Sequence, residues 1–372
     1  MPIHSNFKAY KCSGPLAKIL LISTRQFGDL LLTTPLVRSL KHAYPQAIID
    51  VLAFQGKEFI LDDNPDINRI LTIPEPTTCR DHPNLFKQIW RKYQLAVTTL
   101  PGDRPTFYAW IAAPQRVGLV PSLTAKSIWK RWVLQGWVLL DDEQTATVIQ
   151  NLRLADVLGI PRCYEVVPPE KPGSEEQLDQ YLPFSWRTQA YAALHLTPMW
   201  PYKRWTLTGW TQVSQYLQQQ GMKLVLTGGS GDSEQQYLQQ AQQQMPAEVI
   251  NLAGKLDFAA ISLLLKHAKV YVGPDTAVTH LAAAVGVPTV AIFGPTNPLK
   301  WAPWPQKYNR NRTPFKKAGS LQLLENIALV QGEEDCIPCH QEGCERHRNS
   351  HSLCLQKLDA ARVITAIEAL GV

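Results

Sequence analysis

Apolar runs of strand length recur along the chain, most of them closed by polar or glycine-containing turns. In the first half they are KILLIS (18–23), IIDVLAF (48–54), RILTI (69–73), LAVTTL (95–100) and QRVGL (115–119). Between them lie stretches with helical spacing. DLLLTTPLVRSLKHAYP, from Asp29, reads as one helix, and QNLRLADVLGIP (150–161) as another that ends at Gly159. Strands alternating with helices imply βαβ units and a parallel sheet.

The alternation breaks at VVPPEKPGS (166–174), where three prolines and a glycine predict a stiff, non-helical linker. It restarts at AYAALHLT (190–197). A helix around 207–220 follows, then the strands MKLVLTGG (222–229), VINLAG (249–254), KVYVGP (269–274) and PTVAIFGP (288–295). The expectation is an α/β protein with two Rossmann-like domains and an interdomain cleft. Residues 1–170 form the first domain and 171–358 the second, and a final helix (359–372) packs back on the first. In such sheets ligands sit beyond the carboxyl ends of the strands.

Composition narrows the class. At 372 residues, 45% apolar and 18% charged, the chain suits a soluble two-domain protein. A net charge of +6, read as scattered, fits an anionic substrate or an acidic lipid surface and argues against nucleic acid. No run is long enough to span a membrane, and the N-terminus lacks the apolar stretch of a signal peptide, so a cytoplasmic location is expected. Seven cysteines in a reducing compartment argue against a disulfide framework. Four of them, Cys336, Cys339, Cys344 and Cys354, cluster with three histidines. Their spacing leaves open whether they hold a structural zinc.

The richest chemistry lies in VYVGPDTAVTHLAAAVGVPTVAIFGPTNP (270–298). A strand and a Gly-Pro turn lead into a helix with Asp275 as the expected N-cap. Small residues at Thr276 and Ala277 let a diphosphate approach the free N–H groups. The next strand delivers Gly294, Pro295, Thr296 and Asn297, a second small-residue loop. His280, one turn after Ala277, reads either as a packing histidine or as a ligand contact. GGSGDSE (228–234) offers Gly228 and Gly229 for a nucleoside pocket, and Asp232 and Glu234 remain alternatives for its acidic residue.

The 270–298 segment resembles the donor-binding signature of glycosyltransferase family 9, the bacterial heptosyltransferases. GDLLLTTP, PYKRW (201–205) and NLAG (251–254) agree with that family in order, and FGPTNPLKWAPW looks closest to the branch adding the third heptose. The resemblance implies a GT-B fold, an ADP-heptose donor and a lipid A–core oligosaccharide acceptor. It also implies inversion at the anomeric carbon, with no metal and no cofactor. On that reading Asp29 is the general base, its alternative being an N-cap for a helix beginning at Leu30. Arg25, Gln26 and Gly28 lie on the acceptor side. Thr197 and Lys203 serve the donor, with Lys203 supplying positive charge to the leaving diphosphate and Arg204 as fallback.

AKSIWKRWVLQGWVLL (125–140) interleaves Lys126, Lys130 and Arg131 with Trp129, Trp132 and Trp137. It reads either as a surface for an anionic lipid, touching the inner membrane peripherally, or as a partly buried helix with snorkelling cations. Two other functions fit the same fold: a sugar-nucleotide epimerase, and a binding protein without catalysis. GDLLLTTP argues against the first, and the retained Asp29 and Lys203 against the second.

Overall fold

The computed structural model describes residues 7–122, 124, 127–246 and 248–372. It divides into two units at Val167 and Pro168, inside the proline-rich stretch, with residues 309–312 counted in the first unit.

The first unit holds seven strands: β1 (Phe7–Lys8), β2 (Lys18–Ile22), β3 (Ile48–Phe54), β4 (Arg69–Ile73), β5 (Leu95–Thr98), β6 (Gln115–Val120) and β7 (Gly136–Leu139). Their order is β1-β7-β6-β5-β2-β3-β4, all parallel except β1. Strands covered on both faces read as continuous apolar runs, which is why KILLI and IIDVLAF stand out in the sequence. Asp50, a charged residue buried in this core, is fully engaged. It accepts from Tyr93 Oη at 2.7 Å and Asn68 Nδ2 at 2.9 Å, and pairs with Arg69 at 3.1 Å. Such satisfaction is what makes a buried carboxylate tolerable.

The second unit repeats the plan with β8 (Tyr191–His195), β9 (Lys223–Thr227), β10 (Val249–Asn251), β11 (Val270–Pro274), β12 (Thr289–Phe293), β13 (Leu321–Leu324) and β14 (Ile327–Gln331). The order is β10-β9-β8-β11-β12-β14-β13, and only β13 runs antiparallel. In each unit the chain leaves a central strand in one direction and later resumes on its other side. The reversals fall between β2 and β5 and between β8 and β11. Loops after these strands flank the crevice where open α/β sheets bind ligands.

Three expectations need correction. The stretch after Gln26 is two helices, Phe27–Leu31 and Thr34–Ala43. Pro35 has no N–H to give the preceding turn, and the Thr34 hydroxyl donates instead to the Leu31 carbonyl at 2.8 Å. Among the described residues of 125–140 the α-helix is confined to Ile128–Val133, and Gly136–Leu139 is a strand. There a Cβ on Gly136 would lie 2.6 Å from Val157 Cγ1 and 2.7 Å from Tyr10 Cβ, so close packing demands glycine. Ala125 and Lys126 lie outside the described residues. Finally, the last helix, Ala360–Ala369, expected against the first domain, packs on the helix Leu207–Gln219 and on β12 and β14 of its own unit. Val363, Ala366 and Ile367 are buried in the same core as Trp205 and Trp210. Arg362 fastens that helix by donating to the Gln331 carbonyl at 2.7 Å.

Candidate functional site

In the second unit the features gather at the ends of β8 and β11. Thr197 follows β8, and the Trp- and Pro-rich loop beyond it closes in a short helical turn, Pro201–Lys203. Asp275 follows β11. Lys203 Nζ reaches it at 2.6 Å, with the two side chains 21% and 8% exposed. This pair explains why Asp275 is not the N-cap of the next helix. Thr276 caps Ala277–Val285 instead, its Oγ1 accepting from Thr279 N at 3.4 Å. The Thr279 hydroxyl is taken by the Pro274 carbonyl and Tyr271.

Two buried polar atoms at this edge have no hydrogen-bond partner among the described residues: Thr197 Oγ1 and His280 Nδ1. An orphaned polar atom in a packed interior is uncommon and calls for an explanation. Burial drives the His280 pKa down to about 4. The Asp275 carboxylate opposes that shift and Lys203 adds to it, so the imidazole is neutral at ordinary pH. His195, at the end of β8, is likewise pushed to about 4 by burial and lies 3.0 Å from Thr227 Oγ1.

Around them the glycines do specific work. A Cβ on Gly228 would stand 3.0 Å from Thr197 Oγ1, and one on Gly229 would strike Glu234 Oε2 at 2.2 Å. Glu234 therefore leans over the turn, whereas Asp232 opens the helix Asp232–Gln244. The NLAG segment closes the same turn, Gly254 N donating to the Gly228 carbonyl at 2.9 Å.

The loop after β12 is less open than its small residues suggest. A Cβ on Gly294 would lie 2.7 Å from Leu355 Cγ, so that glycine serves packing. Asn297 is buried and caps a short helix, accepting from Leu299 N at 3.1 Å, which leaves Thr296 half-buried. Sequence reasoning missed what lies behind both loops. Ser352 Oγ donates to the Tyr202 carbonyl at 2.6 Å, and His340 N to the Pro295 carbonyl at 3.0 Å. The cysteine-rich tail thus buttresses both the Lys203 loop and the Gly294 loop. Its only signal was the aromatic content of TPMWPYKRW, which needs partners such as Arg348, 4.4 Å over the Trp200 ring.

All seven cysteines are free thiols. Burial pushes the Cys354 thiol up to about 12, and neighbouring Cys339, Cys344 and Cys336 push the same way. Among the described residues no three His, Cys, Asp or Glu side chains stand in an arrangement that would hold a metal ion.

The first unit presents a different loop at the end of β2. Its helix begins at Phe27, so Gly28 and Asp29 are helical and Asp29 lies in the first turn, not at a cap for Leu30. An acidic residue is favoured at that end of a helix. Arg25 Nη1 stands 3.8 Å from Asp29 Oδ2, and the Asp29 side chain is 17% exposed. Gln26 Nε2 reaches Glu75 Oε2 at 3.3 Å, adding a carboxylate that no motif had indicated.

Comparison with known proteins follows this geometry. The model of glycosyltransferase family 9 (heptosyltransferase) matches residues 109–327. A lipopolysaccharide heptosyltransferase 3 of Escherichia coli is 29% identical over 301 residues, 75% of this chain and 84% of that protein. The structure of E. coli ADP-heptose lipopolysaccharide heptosyltransferase II superposes with a TM-score of 0.71 at 21% identity, covering 95% of this chain and 98% of that one. An E. coli heptosyltransferase solved with ADP-2-deoxy-2-fluoro heptose gives 0.67 at 16% identity, covering 95% and 99%.

Proposed function

We infer the reaction from one premise: the chain belongs to glycosyltransferase family 9, the heptosyltransferases. It moves heptose from ADP-heptose to the inner core of lipopolysaccharide, with inversion, at the cytoplasmic face of the inner membrane. The observation that carries the donor side is the Lys203–Asp275 pair at the β8/β11 reversal, beside the unpartnered Thr197 Oγ1 and His280 Nδ1. A lysine held by a nearly buried carboxylate is pre-positioned, so an arriving diphosphate meets an ordered cation.

In this reading the second unit grips the donor. Thr276, Ala277 and the free N–H groups of their helix face the diphosphate, and Thr197 and Thr296 add hydroxyls. Gly228 and Gly229 line the nucleoside side with Glu234, and neutral His280 offers Nδ1 to a donor oxygen. Gly294 and Asn297 shape the floor, given the structural uses found for them. The first unit acts on the acceptor, with Arg25 and Gln26 orienting its oxygens. An acceptor hydroxyl attacks the anomeric carbon while its proton passes to Asp29. The bond from that carbon to the diphosphate oxygen breaks, and ADP leaves with its developing charge met by Lys203.

The test is transfer from ADP-heptose onto a heptose-truncated core lipopolysaccharide, beside UDP- and GDP-sugars, with and without EDTA. The reading predicts product with the ADP donor alone, unchanged by EDTA. Equal use of the three nucleotides would overturn the donor assignment. Loss on chelation, restored by magnesium, would overturn the metal-free mechanism.

A further inference from the structure

The positive charge of this protein is not spread evenly. Residues 82–133 carry eight Lys and Arg against one Asp, a net +7, whereas the whole chain carries +6. Everything outside that segment is close to neutral. The segment contains three helices of the first unit, His82–Ile89, Asp103–Ala112 and Ile128–Val133, the middle one touching both others.

The outer side of these helices is also apolar. Among the described residues, six of the twelve exposed large apolar side chains lie here: Trp90, Phe107, Trp110, Ile128, Trp129 and Trp132. The middle helix shows how unusual this is. Its inner residues Tyr108, Ala109, Ile111 and Ala112 fill the core, where the helix packs on β5 and β2. Arg104, Phe107 and Trp110, spaced by three, face outward and are exposed. A helix apolar on both sides normally has partners on both. Phe107 stacks on Trp110 at 5.8 Å and meets Phe86 edge-on at 5.9 Å, so these three rings form a connected patch. Lys130 Nζ ties the third helix to the start of the middle one, 2.8 Å from Asp103 Oδ1. Trp132, on that third helix, is 84% exposed.

We propose that this three-helix face docks the enzyme on the anionic lipid surface of a bilayer, its aromatic side chains entering the headgroup region while Lys87, Arg91, Lys92 and Arg104 meet lipid phosphates. Two properties select that partner. Tryptophan and phenylalanine beside arginine and lysine on one surface are the composition of an interfacial anchor. A net +7 in one segment complements an acidic leaflet, where each basic residue contributes about a five-fold gain in binding. The proposal rests on the reading above that the acceptor is lipid-linked, and it assigns the membrane contact to particular side chains.

Flotation of the full chain with vesicles tests it without donor or acceptor, so failure here leaves heptosyl transfer standing. Failure of transfer, in turn, leaves vesicle binding readable. Binding is expected to phosphatidylcholine vesicles containing about 30% phosphatidylglycerol, weakened by salt, and not to pure phosphatidylcholine. Trp110→Ala/Trp132→Ala should lose at least about ten-fold in binding. Lys87→Glu/Lys92→Glu alters only exposed lysines, and should lose more than about twenty-fold. Both variants should keep the melting temperature and the ADP-induced thermal shift. Wild-type protein that ignores anionic vesicles, or variants that float as well as wild type, would overturn the assignment. So would a face that binds DNA oligonucleotides but no vesicles, or a dimer in sedimentation that the Trp110→Ala/Trp132→Ala variant dissolves.

Discussion

The two units are built on one plan and furnish it differently. Each carries a seven-stranded sheet with a reversal of strand order at its centre. At the reversal of the second unit stand a lysine–aspartate pair, a capped helix N-terminus, two orphaned polar atoms and a tail that props the loops from behind. At the reversal of the first stands a helix whose opening turn holds Asp29, beside Arg25, with Gln26 held by Glu75. On the function proposed above, one edge takes the anion and the other the proton. A shared topology therefore fixes where ligands go, and the loop residues decide which chemistry each half performs.

That contrast can be broken by mutation, and the largest effect should come from Asp29. Asp29→Asn keeps size and hydrogen bonding but removes the proton acceptor, so transfer should fall about 10²–10⁴-fold with little change in melting temperature. Near-normal turnover would reduce Asp29 to a helix-end residue. Next comes Lys203→Met, which removes the cation and leaves Asp275 nearly buried without its counter-charge. Transfer should drop about 10²–10³-fold. Lys203→Arg, which keeps the charge, should recover part of it, and an arginine variant no better than methionine would count against an electrostatic role.

A third effect is one of pH. His195 and His280, both in the second unit, have pKa values lowered by burial to about 4, below the unfolded value of 6.5. Between these limits the unfolded chain binds protons that the folded chain does not. Stability is therefore fully present above pH 6.5 and lost on acidification, by up to about 1.4 kcal/mol per pH unit for each histidine. Thermal melts across that window should fall with pH, and a midpoint that rose on acidification would contradict neutral buried imidazoles. The smallest effect is expected from Thr276→Ala, which deletes a cap worth about 1 kcal/mol. Its melting temperature should drop by a few degrees, whereas Asp275→Ala should act mainly through Lys203 and ADP binding.

Much of this was legible in the sequence where the determinants are local. IIDVLAF and RILTI coincide with β3 and β4 residue for residue: the interior strand β3 is a nearly continuous buried run, and the edge strand β4 buries Leu71 and Ile73 while Arg69 and Thr72 stay exposed. Gly159 ends its helix in the left-handed conformation, as its position suggested. The hairpin of β13 and β14 was not seen, since its turn uses Glu325 at φ 52° and Asn326 and carries no glycine to mark it. For the site, local sequence pointed to Asp275 as the cap, and the structure gives that role to Thr276. Only Lys203, far away along the chain, decides between them by claiming the carboxylate. The tail behaves similarly. Its cysteines drew attention as a metal pattern, yet its clearest contacts are with Tyr202 and Pro295, partners that no spacing could reveal.

The central claim is that donor binding belongs to the second unit and proton abstraction to the first. The most direct measurement is ADP affinity by calorimetry for the wild type, Asp29→Asn and Lys203→Met. Asp29→Asn should bind ADP as the wild type does, and Lys203→Met should bind at least about ten-fold more weakly, as expected for a lost charge-assisted contact. If Asp29→Asn lost ADP while Lys203→Met kept it, the division of labour described here would be wrong.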